Sequence, residues 1–118
     1  MKLFKSKNHA EEIRIPRARF LQEQDGPTEC ELKKRIAECL SCNDSVRHAY
    51  LARARYADDS CNVALCLRTE LGPDRKLVEE IGKIFASLFA SHEHLDIMFL
   101  SEAQEAEVMA VCKPFFTS

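Results

Sequence analysis

A strongly periodic apolar stripe runs through residues 74–91, DRKLVEEIGKIFASLFAS. Its positions recur at the spacing of one face of an amphipathic helix, and they are Leu77, Ile81, Ile84, Phe85 and Leu88. Runs typical of strands precede this segment at residues 61–67 and follow it at residues 95–100. We therefore expect a helix that buries its stripe against a sheet built from these strands.

Residues 46–56 alternate as a strand does. We expect Tyr50 and the other even-numbered residues to face the helices, and Leu51 and the other odd-numbered residues to face outward. In the following run the same interpretation turns Leu65 inward and Cys66 outward. The short polar connection between the two runs predicts an antiparallel hairpin.

Two capping-box patterns mark further helix starts. Residues 28–31 open a helix that should run to about Ser41, and residues 101–104 open a short third helix that ends before Pro114. We expect the third helix to bury a stripe composed of Ala106, Met109, Ala110 and Cys112.

The N-terminal residues carry weaker patterns. Residues 1–11 are polar and lack periodicity, which predicts a flexible tail. Residues 13–15 alternate as a short strand that Pro16 ends. Residues 17–24 are ambiguous between helix and strand, and their expected anchors are Phe20 and Leu21.

The order of elements is strand, helix, strand, strand, helix, strand and a short helix. This order predicts an α+β fold with a mainly antiparallel sheet, two main helices packed on one face and a short C-terminal helix. After the tail, residues 12–118 should form a single domain, because 118 residues suffice for one hydrophobic core.

Composition narrows the class of protein. With 46% hydrophobic and 31% charged residues, the chain has the balance of a soluble domain, and no apolar run is long enough for a membrane span. No apolar segment follows the N-terminal lysines, so we expect a cytoplasmic location. The net charge of −2 argues against a nucleic-acid partner.

Candidate chemistry is sparse. The six cysteines are interpreted as reduced thiols. Cys39 and Cys42 form a CxxC pair, but it lies at a helix C-terminus, where the dipole raises the pKa of a thiol. A zinc site would need His92 and His94, some 50 residues away, and that spacing matches no compact zinc module. His48, on the expected inward face of a strand, is the only histidine placed to act as a base, and a lone histidine there is more often a core or rim residue. We therefore predict no catalytic residue and no cofactor.

Several arginines should share the outer face of the sheet, around a less polar centre. The arginines are Arg47, Arg53 and Arg55, which Arg14 and Arg68 can join, and the centre is Ala49, Leu51, Ala64 and Cys66. Such a face can be simply solvated, or it can bind a second copy or a partner protein, because interfaces enrich arginine around an apolar centre. RNA binding is the third hypothesis, but this face lacks the aromatic residues on which RNA-binding surfaces stack bases.

The chain from residue 31 to residue 116 resembles the C-terminal domain of the bacterial SseB family, named for enhanced serine sensitivity. The matching segments are ELKKRIAECL, VRHAYLARARY, NVALCL, EIGKIF, LDIMFL and the closing Lys113-Pro114-Phe115-Phe116. The resemblance implies a small cytoplasmic bacterial protein without a catalytic motif.

We therefore predict a non-enzymatic protein-interaction module, as a homodimer or with an unknown protein partner. The expected surface is the arginine face or the C-terminal apolar hook, and its residues are Arg47, Leu51, Arg53, Arg55, Arg68, Phe115 and Phe116. One alternative, suggested by the family name, is sensing or modification of a serine-related small molecule. Another is a thiol or zinc site at the CxxC pair.

Overall fold

A mixed sheet organises the protein, and the computed structural model describes residues 9–12, 18–90 and 93–118. The described elements are β1 (His9–Glu12), β2 (Ala18–Glu23), α1 (Pro27–Leu40), β3 (Val46–Tyr56), β4 (Cys61–Thr69), α2 (Arg75–Leu88), β5 (His94–Phe99), α3 (Glu102–Met109) and β6 (Phe116–Thr117). The strand order is β1-β5-β4-β3-β2, and β6 pairs with β3. β5 is parallel to β1 and β4, whereas β3 is antiparallel to its partners. The predicted α+β class with a mainly antiparallel sheet is confirmed.

The larger core lies between one face of the sheet and the helices α1 and α2. Its members include Leu32, Ile36, Leu77, Ile81 and Phe85 from the helices and Val46, Ala49, Leu51, Leu65, Leu67, Leu95 and Ile97 from the strands. Burying side chains of this size stabilises the fold by about 1.5–3 kcal/mol each. The prediction that two main helices pack on one face is confirmed.

The smaller core lies on the opposite face, beneath α3. Small residues dominate it, and its members are Phe20, Tyr50, Ala52, Ala54, Ala64, Cys66, Met98, Leu100, Val108 and Cys112. Val108 is the buried residue of α3, while Met109 is 59% exposed and Ala106 is exposed. The predicted stripe of this helix is therefore wrong, and Cys112, which is buried as expected, lies beyond the end of α3.

The prediction of which side of β3 faces the helices is wrong. Leu51 pairs with Leu65 and belongs to the larger core, whereas Tyr50 pairs with Cys66 on the face beneath α3. Tyr50 and Leu51 are both essentially inaccessible. Alternation separates two faces but does not say which helices cover each, because a strand covered on both sides is apolar on both.

Of the two predicted capping boxes, one is confirmed and one is wrong. Ser101 and Gln104 form the predicted capping box of α3, and Asp74 caps α2 by accepting from the Leu77 amide at 3.1 Å. By contrast, α1 begins at Pro27 with Gly26 as its N-cap, and its described residues include no side chain that caps it. The predicted box at Thr28 is wrong, because Pro at the first helical position starts the helix earlier.

The predictions for the N-terminal residues have different outcomes. The strand predicted at residues 13–15 lies outside the described residues. Residues 9–12, expected to be mostly tail, instead form β1 along β5. Phe20 is buried as expected, but Leu21 is 37% exposed, because the pairing of β2 with β3 shifts by one residue at that position. The domain boundary at residue 12 stays a prediction.

Candidate interaction surface

The predicted arginine face does not exist as one surface. Leu51, at its expected centre, is fully buried beneath the helices. Arg68 lies on the other face, where its guanidinium donates to the Leu100 carbonyl oxygen at 3.1 Å. Arg47 lies beside a register shift of β3 and forms an ion pair with Glu70. Hence Arg47, Arg53 and Arg68 do not surround a shared apolar centre.

Three arginines do converge at one end of β2 and β3. Arg19 pairs directly with Arg55 across the two strands, and Arg53 lies two residues from Arg55 on the same side of β3. All three side chains are exposed. We call this group, Arg19, Arg53 and Arg55, the arginine edge.

The charges of the arginine edge are incompletely compensated. Arg55 approaches Asp59 at 3.3 Å, and the Asp59 side chain is 79% exposed. Neither Arg19 nor Arg53 forms an ion pair with any residue that the structure describes. Like charges directly opposite each other destabilise a strand pair. The pairing of Arg19 with Arg55 therefore has a cost that the Arg55–Asp59 ion pair offsets only in part.

A groove of about 650 Å³ lies beside the arginine edge. Its lining includes Arg19, Arg55, Tyr56 and Asp59, together with Glu107 from α3. The groove thus presents two guanidinium groups and two carboxylates. An anionic side chain can approach the guanidinium groups here.

The predicted C-terminal hook packs against the protein. Phe115 and Phe116 are half-buried against the larger core, and Phe116 opens β6. The Phe115 amide donates to the Ala49 carbonyl oxygen at 2.9 Å. Both rings therefore help to cover the core, and neither projects from the surface.

A carboxylate of α3 organises a polar cluster on the opposite face. Glu105 accepts a 2.7 Å hydrogen bond from the Tyr50 hydroxyl, and His48 Nδ1 lies 2.7 Å from the same oxygen. Because an ionised carboxylate can only accept, Nδ1 must carry the hydrogen. Arg68 Nε lies 3.6 Å from the other oxygen. Burial and the bond to Glu105 raise the pKa of Tyr50 above its ordinary value.

A second carboxylate plays the same part at the other end of this face. Asp96 is 4% exposed and accepts from the Tyr56 hydroxyl at 2.5 Å and the Asn62 amide at 3.2 Å. Its other oxygen lies 2.6 Å from His94 Nε2. Burial and the bond to Asp96 raise the pKa of Tyr56. In both clusters the polar groups satisfy one another, as buried polar groups must.

The CxxC pair lies where the sequence predicted, at the end of α1. Burial raises the pKa of the Cys39 thiol, and the Glu80 carboxylate, 3.8 Å from the sulfur, raises it further. Cys42 is exposed, and all six cysteines are free thiols. A raised pKa lowers the thiolate fraction, which is the opposite of what a redox-active cysteine requires.

The weak zinc candidates are separated. His94 and Glu29 line the same pocket near the start of α1. Cys39 lies ten residues after Glu29 in that helix, which places it about 15 Å from Glu29 at 1.5 Å per residue. His92 is outside the described residues. No group of three metal-binding side chains occurs among the residues for which the structure gives positions.

Sequence reasoning missed Arg19, Glu105 and Asp96. Arg19 lies in the segment that was ambiguous, so its alignment with Arg55 could not be predicted. Glu105 bonds to residues 55 and 57 positions away, and a lone glutamate in a helix carries no pattern that would reveal this. Asp96 interrupts the apolar run of β5, and that signal could have identified it as a buried, partnered carboxylate.

The fold defines a class of protein: an α+β domain whose sheet is covered on both faces. Residues 21–118 match the family model of the SseB protein C-terminal domain, and the chain belongs to that family. This confirms the resemblance found in the sequence. Neither the curated proteins nor the solved structures contain a match to the chain. No described helix has the length and apolar character needed to cross a membrane.

Proposed function

We propose that this chain is a non-enzymatic protein-interaction module that binds an acidic partner protein through the arginine edge. The observation that carries the proposal is the direct opposition of Arg19 and Arg55, with Arg53 beside them. A carboxylate from a partner would relieve the like-charge repulsion and form charge-assisted hydrogen bonds with the guanidinium groups. Binding would thereby supply the negative charge that the arginine edge lacks in the free protein.

The polar clusters support a non-enzymatic role. Tyr50 is 1% exposed and its hydroxyl is bound to Glu105, while Asp96 is 4% exposed and accepts three hydrogen bonds. A general acid or base has to reach its substrate. These groups instead hold α3 and the strands together. A cytoplasmic location belongs to the proposal, and six free thiols support it.

A peptide titration tests the proposal. The probe is a fluorescent ten-residue peptide of alternating Thr and Glu, and its uncharged counterpart has Gln in place of Glu. Fluorescence anisotropy should detect binding of the acidic peptide alone, and binding should weaken as salt is raised, because salt screens exposed charges. Each exposed pair contributes about 0.2–1 kcal/mol, so replacing one arginine should weaken binding by about 1.5- to 5-fold.

The variants are Arg19→Gln and Arg53→Gln, and the matched control is Arg75→Gln at the start of α2. Arg75 is also exposed but lies on another element. Equal loss of affinity in the control and the edge variants would refute a role for the arginine edge. Light scattering of the free protein tests the homodimer separately, and a monomeric mass would remove that prediction.

The groove also supports the alternative that the protein senses or modifies a serine-related small molecule. Its two guanidinium groups can bind the carboxylate of a small amino acid. A thermal-shift series with serine and related amino acids should then raise the melting temperature of wild type but not of Arg19→Gln. No shift in wild type would exclude this alternative.

A further inference from the structure

The free edge of the sheet specifies how such a partner would bind. β2 is the last strand on its side of the sheet among the described residues. An edge strand presents unpaired amide and carbonyl groups to which an extended segment of another chain can add. The arginine edge lies on this same strand and its neighbour.

The hydrogen bonds on β3 identify which groups of β2 are free. The Leu51 and Ala49 carbonyl oxygens accept from Gln24 and Phe115, so odd-numbered residues of this stretch turn their backbone groups toward β2 and β6. Arg55 continues this alternation, and Arg19 is its partner. The backbone groups of Arg19 therefore face inward, and those of its neighbours on β2 face outward.

Ala18 and Phe20 accordingly direct their amide and carbonyl groups away from β3. The shift of register at Leu21 displaces the next outward group to Glu23. Among the described residues, Ala18 and Phe20 have no further polar partner, whereas the Glu23 carbonyl oxygen accepts a 3.4 Å hydrogen bond from the Gln24 side chain. The outer edge thus offers free hydrogen-bonding groups on both sides of Arg19.

The same alternation sets the position of an incoming side chain. On an antiparallel strand added to β2, the residue opposite Arg19 occupies a pair without mutual backbone hydrogen bonds. In such pairs the two Cα atoms are about 4.5 Å apart and the side chains are closest. An acidic residue at that position would meet Arg19 directly and come within reach of Arg55.

We infer that the partner is an extended, acidic segment of another protein that adds as a strand to the outer edge of β2, with a carboxylate opposite Arg19. This inference rests on the proposed function, and it specifies the form of the partner. An acidic helix would reach the guanidinium groups but would leave the amides of Ala18 and Phe20 unpaired.

The experiment uses the full chain labelled with ¹⁵N and three peptides. The first is the alternating Thr-Glu peptide, the second is the same peptide with every second amide N-methylated along one edge, and the third is a helical peptide of equal negative charge. The first should bind at least about 10-fold more tightly than the other two. Its binding should shift the amide signals of Ala18, Phe20 and Glu23, and hydrogen exchange at these amides should slow.

The outcomes separate the inference from the proposal on which it rests. If all three peptides bind equally and Arg19→Gln weakens each, the acidic surface stands and strand addition is refuted. If no acidic peptide binds at low salt, both are refuted. If the β2 amides are already protected in the free protein and its mass is doubled, a second copy occupies the edge and the inference fails.

Two further arms exclude other ligands. A single-stranded oligonucleotide that binds more tightly than the Thr-Glu peptide would overturn the inference, as would competition by inorganic phosphate at equal concentration. Arg75→Gln serves again as the matched control. An edge whose arginine serves only to prevent strand pairing predicts that Arg19→Gln binds the unmodified Thr-Glu peptide at least as tightly as wild type does. That result would also refute the inference.

Discussion

Replacing Glu105 with alanine should loosen α3 from the sheet more than any other single change in that helix outside its core. Val108 is the buried apolar residue of this eight-residue helix. The Glu105 carboxylate provides the polar attachment, because it accepts from Tyr50 and His48 and lies near Arg68. Without the carboxylate, these three groups lose a shared acceptor.

The magnitude follows from the exposure of the groups left behind. Tyr50 is 1% exposed, so its hydroxyl would stay buried without a partner, which costs about 1–3 kcal/mol. The side chains of His48 and Arg68 are 37% and 31% exposed and would regain water at little cost. We expect Glu105→Ala to lower the free energy of unfolding by about 2 kcal/mol.

A double-mutant cycle isolates the tyrosine contribution. Tyr50→Phe removes the hydroxyl together with its need for a partner, so the double variant should be more stable than the sum of the single changes by about 1 kcal/mol. Urea unfolding of the four proteins measures this difference. Hydrogen exchange should report faster opening of α3 in Glu105→Ala. Glu107→Ala, at an exposed position of the same helix, is the control.

Two results would refute this reasoning. The first is a free energy of unfolding for Glu105→Ala within about 0.5 kcal/mol of wild type, the range of ordinary surface changes. The second is strict additivity of Glu105→Ala and Tyr50→Phe, since groups in direct contact should couple.

Three further changes test other parts of the fold. Asp74→Ala removes the cap of α2 and should lower the free energy of unfolding by about 1 kcal/mol, whereas Thr28→Ala, at the wrongly predicted cap, should change it by less than about 0.5 kcal/mol in the same urea experiment. Hydrogen bonds from the Lys113 amide and then from Lys33 hold the pKa of Glu23 below its ordinary value, so the ionised carboxylate stabilises the fold above that ordinary value and ceases to do so as pH falls through the lowered one. The deficit in the free energy of unfolding of Lys33→Met relative to wild type should therefore shrink as pH is lowered from 7 to 3. A constant difference would contradict this. Burial raises the pKa of Cys112 to about 11, so a thiol reagent at pH 8 should modify it only after unfolding, and modification in the native protein would contradict the structure.

The sequence predicted the elements better than their neighbours in space. β3 was predicted at residues 46–56, where the structure has it, because eleven residues of alternation are a strong local signal. The assignment of Leu51 to the outer face failed, because Tyr50 and Leu51 are both buried and hydrophobicity cannot distinguish two covered faces. β1, with the sequence HAEE, has no apolar alternation, and its pairing depends on a distant strand.

The candidate surface was predicted in part. Arg53 and Arg55 were identified, because alternation places them on one side of a strand. Arg19 was not, since strand register depends on long-range pairing and on the irregularity at Leu21. The same limit explains Glu105, whose contacts with β3 cross more than 50 residues of sequence. Local patterns determine which side chains share a face, and register determines which of them meet.

The pairing of β1 with β5 has a consequence for the order of assembly. His9 lies opposite His94, 85 residues later in the chain (94 − 9), whereas β3 and β4 meet through a turn of four residues, 57–60. During synthesis the hairpin can therefore form as soon as β4 is available, but β1 must wait until β5 has left the ribosome. Contacts of such long separation slow folding, and until β1 docks, the nascent chain exposes the open side of β5 to aggregation.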